Sequence, residues 1–246
     1  WPVLMGQMAA SELPMRLLHP IWNFNGDSGH LWYIYMLIGL YLFMPVLSPW
    51  LKQTSQKAEL AFLTVWFVSS LFPYLKEIGA GDLFGECYWN EFHSFWYFSG
   101  FIGYLVLAHY IRHHLHCAGL ICFLVGYAVT AIPFYYRSFT HEMVREVELT
   151  WLYCTPNVIL MTFGVFMMCK AIPQQKAPYY GFVNRLSRLS YGVYLLHIIV
   201  LYSVFFDLLK GWELSTPAFI LTLTVCTFTL SNLITWLLSK LPFGKY

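Results

Sequence analysis

The sequence predicts an all-α fold, a polytopic bundle of transmembrane helices, and three observations carry that reading. Hydrophobic residues fill 59% of the 246 positions and charged residues only 11%, about half the charge of a soluble domain. Apolar runs of spanning length recur along the chain, separated by short joints. Lys and Arg are segregated into alternate joints. The mean hydropathy of +0.57 agrees. No repeat, low-complexity tract or soluble domain interrupts the series, so the runs are expected to form one bundle.

In chain order, Trp1 to Ala10 is apolar but too short to span a bilayer, and reads as the end of an earlier helix. Ser11 to Gly29 is a loop with Pro14, Pro20 and the turn-rich stretch Asn23 to Gly29. Residues 1–30 are therefore assigned as an extracytoplasmic stub and loop, 31–241 as the transmembrane domain and 242–246 as a cytoplasmic tail. Seven spans are predicted, near Leu31–Leu51, Glu59–Leu75, Phe92–Ile111, Cys117–Tyr136, Thr150–Ile172, Leu186–Leu209 and Pro217–Leu241. Pro45, Pro73, Pro133 and Pro156 fall within or near the ends of spans and are expected to kink or terminate them. Ser99-x-x-x-Gly103 is a small-xxx-small spacing that lets helices approach closely.

Orientation follows from the joints. Lys52, Lys57, Arg112, Lys170, Lys176, Arg185, Arg188, Lys240 and Lys245 share one side, where Glu59 is the only acid. The other side holds five Lys/Arg and eleven acids. The basic side is assigned to the cytoplasm, with the amino terminus outside and the carboxyl terminus inside. The six cysteines (Cys87, Cys117, Cys122, Cys154, Cys169, Cys226) include no CxxC and lie mostly in apolar runs. They read as small buried apolar residues, not as a disulfide framework or a zinc site.

Polar chemistry concentrates between Arg185 and Leu209. Ser187, Ser190, Tyr191, Tyr194 and His197 recur at three- and four-residue intervals, a polar stripe on an otherwise apolar helix. If Arg188 marks a membrane surface, His197 lies about 13–14 Å deeper, near the middle of the hydrocarbon. A histidine there should be neutral and hydrogen-bonded, to a Tyr, Ser or Asn on a neighbouring helix such as the one holding Asn157. It would then line a polar cavity, or else belong to a helix–helix hydrogen-bond seam. His30, with Trp32 and Tyr35 just below it, is expected at the outer interface, either in an aromatic belt or at a mouth that receives a substrate. Thr155 and Asn157 either satisfy backbone groups freed around Pro156 or line the same cavity as His197. Glu91 and His93, two residues apart, fall on different helix faces, which favours a solvated loop end over an acid/base dyad. Arg112-His113-His114-Leu115-His116 has Cys117 beside it but no Asp or Glu nearby in sequence and reads as a wet turn, so no metal is expected. There is no nucleophile elbow, Gly-rich phosphate loop or HExxH, and no nucleic-acid partner is indicated.

Four segments together resemble the family-3 integral-membrane O-acyltransferases, which acylate bacterial surface glycans. Gly29 to Ser48 (GHLWYIYMLIGLYLFMPVLS) is similar to that family's HLWF…YL…P helix. Leu186 to Leu201 (LSRLSYGVYLLHIIVL) is similar to its S-x-x-SxGIY-x-x-H helix. Phe95 to Leu107 resembles its YF-x-x-G-x-x-L segment, and Thr150 to Leu160 its W-x-x-x-x-P helix. The matches occur in family order. The resemblance implies transfer of an acyl group, commonly acetyl from acetyl-CoA or another acyl-CoA, to a hydroxyl of a glycan or lipid-linked sugar in the bacterial inner membrane. It also implies about three further helices upstream, carrying the catalytic base and the contacts to CoA phosphate. His30 and His197 match other family positions. The chain opens on Trp1 without a signal peptide. On this reading it is the carboxyl-terminal, seven-helix part of the domain, inactive alone, with its catalytic residues unassigned. His30, Trp32, Tyr35, Asn157, Ser190, Tyr194 and His197 are its expected cavity-lining residues. A non-catalytic transporter or glycan-binding protein on the same scaffold is the competing class.

Overall fold

The computed structural model describes residues 11, 14–15, 18, 26–77, 93–115, 119–140, 147–172 and 178–241. The stub 1–10, most of the loop that follows it, Cys87, Cys117, the Glu91–His93 pair of side chains, His116 and the tail 242–246 lie outside the described residues. The protein is an all-helical membrane bundle. Among the described residues, six segments are long and apolar enough to cross a bilayer: Gly29–Gln53, Gln56–Glu77, Gly119–Thr140, Glu148–Ala171, Tyr180–Lys210 and Thr216–Leu238. Large apolar side chains stand exposed along them, Leu42, Phe67, Ile121 and Leu221 among others. In water such a surface would be costly; against acyl chains it is not. The chain divides into two compact units, Met36–Pro173 and the pair Trp1–Tyr35 with Gln174–Tyr246.

In the first unit, α1 (Trp32–Gln53), which begins in the other unit, carries Pro45 and Pro49 within its length. Ser55 caps α2 (Gln56–Ser69), its side-chain oxygen accepting from the Ala58 N–H at 3.3 Å. A short turn follows, and α3 (Phe72–Glu77) takes Pro73 into its first turn, where a missing N–H costs nothing. The third expected span is not one continuous α-helix. His93–Phe98 is a 3-10 turn, and α4 is only Ile102–His114. Between them Gly100 takes φ 77°, a backbone state that a Cβ would strain. The Gly100 carbonyl accepts from the indole N–H of Trp66 on α2 at 2.8 Å. Trp66 is 2% exposed and lies against Gly103, where a Cβ would come 2.0 Å from its ring. The small residue at 103 thus makes room for an indole.

Helices α5 (Gly119–Thr140) and α6 (Pro156–Ala171) complete this unit, with Pro133 inside α5 and Pro156 opening α6. They meet so closely that a Cβ on Gly119 would come 2.3 Å from the Gly164 carbonyl oxygen. Lys170 Nζ on α6 donates to the carbonyls of Ile111, Arg112 and Leu115 at 2.7, 3.0 and 2.8 Å. Those are acceptors that the end of α4 leaves open, and a cation there also suits the helix dipole. At the opposite end of the unit Arg137 meets Glu77 at 2.7 Å.

In the second unit, α7 (Tyr180–Val200) continues through a π-helical turn, Leu201–Phe206, into Asp207–Lys210. After a short joint comes α8 (Thr216–Leu238), with Pro217 in its first turn. The four described cysteines are free, but the expectation of burial is corrected: Cys169 is exposed, and Cys122, Cys154 and Cys226 are half-buried.

Candidate functional site

The polar stripe on α7 divides into two. At about 100° per residue, positions 190 and 191 face different directions. Ser187, Ser190 and Tyr194 line a cleft of about 440 Å³ with Phe228 and Asn232 of α8. Tyr191 lines a second cleft, beside Arg188 and Lys240. In the first cleft Ser190 Oγ donates to the Ser187 carbonyl at 2.7 Å, and Asn232 Nδ2 to the Phe228 carbonyl at 2.8 Å. Each bond runs back along its own helix, so the serine oxygen keeps acceptor capacity toward the cleft.

One turn deeper the same unit gathers two histidines and two tyrosines. The Tyr194 hydroxyl donates to the backbone carbonyl of His30. The His30 ring stands edge-on to His197 with centroids 5.8 Å apart, and Tyr33 stacks edge-on to Tyr194 at 5.3 Å. Trp32 meets Tyr33 at 6.2 Å. Tyr35 lies on the following turn of α1 and is half-buried. The sequence placed His30 at an interface and His197 at mid-depth; the structure brings their rings within 5.8 Å of each other.

His197 Nδ1 lies 2.5 Å from the Tyr194 carbonyl, one turn back on its own helix. This corrects the expected bond to a neighbouring helix. A carbonyl only accepts, so Nδ1 carries the hydrogen, and in a neutral ring the lone pair then lies on Nε2. His197 therefore has an oriented imidazole with an acceptor nitrogen not engaged by that bond.

Asn157 belongs to the other unit, and there its side chain is taken up. Oδ1 accepts from the Tyr74 hydroxyl at 2.7 Å, while Nδ2 donates to Thr130 Oγ1 and to the Thr150 carbonyl, each at 2.8 Å. Thr155 Oγ1 donates to the Leu152 carbonyl at 2.7 Å. At 4% exposure, Asn157 ties α3, α5 and the turn before α6 together.

One constellation escaped sequence reasoning. The histidines near Arg112 do have an acidic partner, supplied from the start of α2. Glu59 is 2% exposed, with its carboxylate 3.1 Å from His109 Nδ1 and 3.8 Å from His114 Nε2. The available signal was that Glu59 is the single acid of the basic side. Among the described residues no group of three or more His, Cys, Asp or Glu could hold a metal ion.

A family model described as an acyltransferase domain matches residues 1–236. No curated protein and no solved structure matches the chain.

Proposed function

The chain belongs to the acyltransferase 3 family of membrane acyltransferases, and on that premise we propose that it serves transfer of an acyl group, most simply acetyl, from acyl-CoA to a hydroxyl of a cell-surface glycan or lipid-linked sugar. In that reaction the thioester C–S bond breaks and an ester C–O bond forms. The hydroxyl proton leaves the sugar and ends on the CoA thiol. The setting proposed is the bacterial inner membrane, with the basic joints cytoplasmic and the amino-terminal loop outside.

The observation that carries this reading is the His30–Tyr194–His197 cluster adjoining a cleft edged with serine, tyrosine and asparagine. A sugar needs a hydrogen-bond acceptor to hold its hydroxyl and lateral donors to fix its ring. His197 Nε2 offers the first, and the Asn232 amide, which keeps a second N–H beyond the one given to Phe228, and the Ser187 hydroxyl offer the second. His197 and Tyr194 are proposed to hold the acceptor sugar. His30, Trp32 and Tyr35 are proposed to shape the way in, the aromatic faces covering the apolar face of a sugar ring.

The test is acyl transfer in membranes holding the protein, from labelled acetyl-CoA to isolated glycan. His197→Leu keeps most of the volume and removes the nitrogen, so transfer should fall while expression holds. Full activity at normal expression would return the stripe to a structural seam. Topology is checked separately by cysteine labelling of intact cells. Positions in 77–91 should react with an impermeant reagent and positions in 173–185 should not; the reverse pattern would invert the proposed orientation.

A further inference from the structure

We infer that the second cleft of the α7–α8 pair binds the phosphate headgroup of an anionic phospholipid, with an acyl chain lying along its apolar end. This inference does not depend on acyl transfer. The cleft has a volume of about 1040 Å³. Arg185, Arg188, Ser239 and Lys240 line one end, and Leu195 and Leu196 line the other. Among the described residues no Asp or Glu lines it. Neither guanidinium has an ion pair or a hydrogen bond among the described residues. Three unneutralised cations around one concavity repel each other, and an anion seated among them removes that repulsion.

The local fold explains why the cations converge. Arg185 and Arg188 stand three residues apart and so share one face of α7. Gly192 brings α8 close, since a Cβ there would come 2.3 Å from Thr235 Cγ2. The chain beyond α8 then delivers Lys240 to the same end, where its Nζ lies 5.5 Å from the centre of the Trp236 ring.

The ligand class follows from the gradient along the cleft. From Arg185 to Leu196 the helix rises about 16 Å, passing from cations and a hydroxyl to leucines. An amphiphile with a phosphate at one end and hydrocarbon at the other matches that order. A soluble phosphate compound would fill the charged end and leave the leucines wet. The cations are also those of the basic joints, the side on which anionic lipids gather at a cytoplasmic leaflet.

The experiment uses the full chain in nanodiscs of dioleoyl phosphatidylcholine doped with a photoreactive phosphatidylglycerol, and the crosslinked peptides are read by mass spectrometry. Crosslinks are expected within 185–196 and 235–240, and a photoreactive phosphatidylcholine should give few there. Labelling should drop at least about tenfold in R185Q/R188Q/K240Q and persist in R185K/R188K, which keeps the charge. Millimolar inorganic phosphate should leave it unchanged. Displacement by phosphate would make a soluble anion the ligand and overturn the lipid assignment. Equal labelling by the phosphatidylcholine probe, or undiminished labelling of the triple glutamine variant, would also overturn it. The comparison of the two lipids on the wild-type chain decides the matter even if the variant fails to fold.

Discussion

Asn157 and His197 are both polar side chains within apolar spans, yet they are used in opposite ways. Asn157 has hydrogen bonds on both ends of its amide, to Tyr74, Thr130 and Thr150, drawn from three separate segments. Among the described residues His197 has one, to a carbonyl of its own helix. The first pattern ties elements together and leaves little over for a ligand. The second orients a ring and keeps a nitrogen available. What separates a seam from a site inside a membrane is therefore the capacity left after the local bonds are counted, not the presence of a polar residue.

Three substitutions would break or sharpen that contrast. The largest effect is expected from His197→Leu: transfer per folded protein should fall about tenfold or more with the loss of the hydrogen bond proposed to hold the acceptor hydroxyl. Its melting temperature in detergent should barely move. Asn157→Leu should invert the pattern. Losing three membrane hydrogen bonds at about 0.6 kcal/mol each predicts about 2 kcal/mol of lost stability, measured by unfolding in mixed micelles, with activity per folded molecule preserved. If it instead abolishes transfer without destabilising the protein, the contrast between the two residues fails. The smallest effect is expected from Ser190→Ala, whose hydroxyl donates only to its own helix. Transfer should change by less than about threefold, corresponding to one weak acceptor lost from the cleft edge. A larger loss would place Ser190 in direct contact with the acceptor.

The spans were legible because length and hydropathy report the bilayer directly, and six of them stand close to where the apolar runs put them. The stripe holding Ser190, Tyr194 and His197 was legible from helical periodicity. Other features depend on contacts between distant residues. The break at Gly100 needs Trp66, which lies 34 residues away. The Glu59–His109 pair is separated by 50 residues, so a search of the neighbouring sequence found the histidines without an acid. For Asn157 the spacing allowed a cavity role and a structural role equally; only its partners distinguish them. Tyr191 shows the finer limit, because intervals of three and four leave room for two adjacent faces on one helix.

The interrupted third span bears on how this protein enters the membrane. Ile102–His114 is 13 residues, a rod of about 20 Å against hydrocarbon about 30 Å thick. It ends in Arg112, His113 and His114, and it also carries His109. Such a segment gains too little from partitioning to be released into lipid as an independent helix. Its missing partners stand on α2: Trp66 takes up the carbonyl at the break, and Glu59 faces two of the histidines. On that ground α2 and α4 are expected to enter the membrane as a pair, since each meets polar groups of the other.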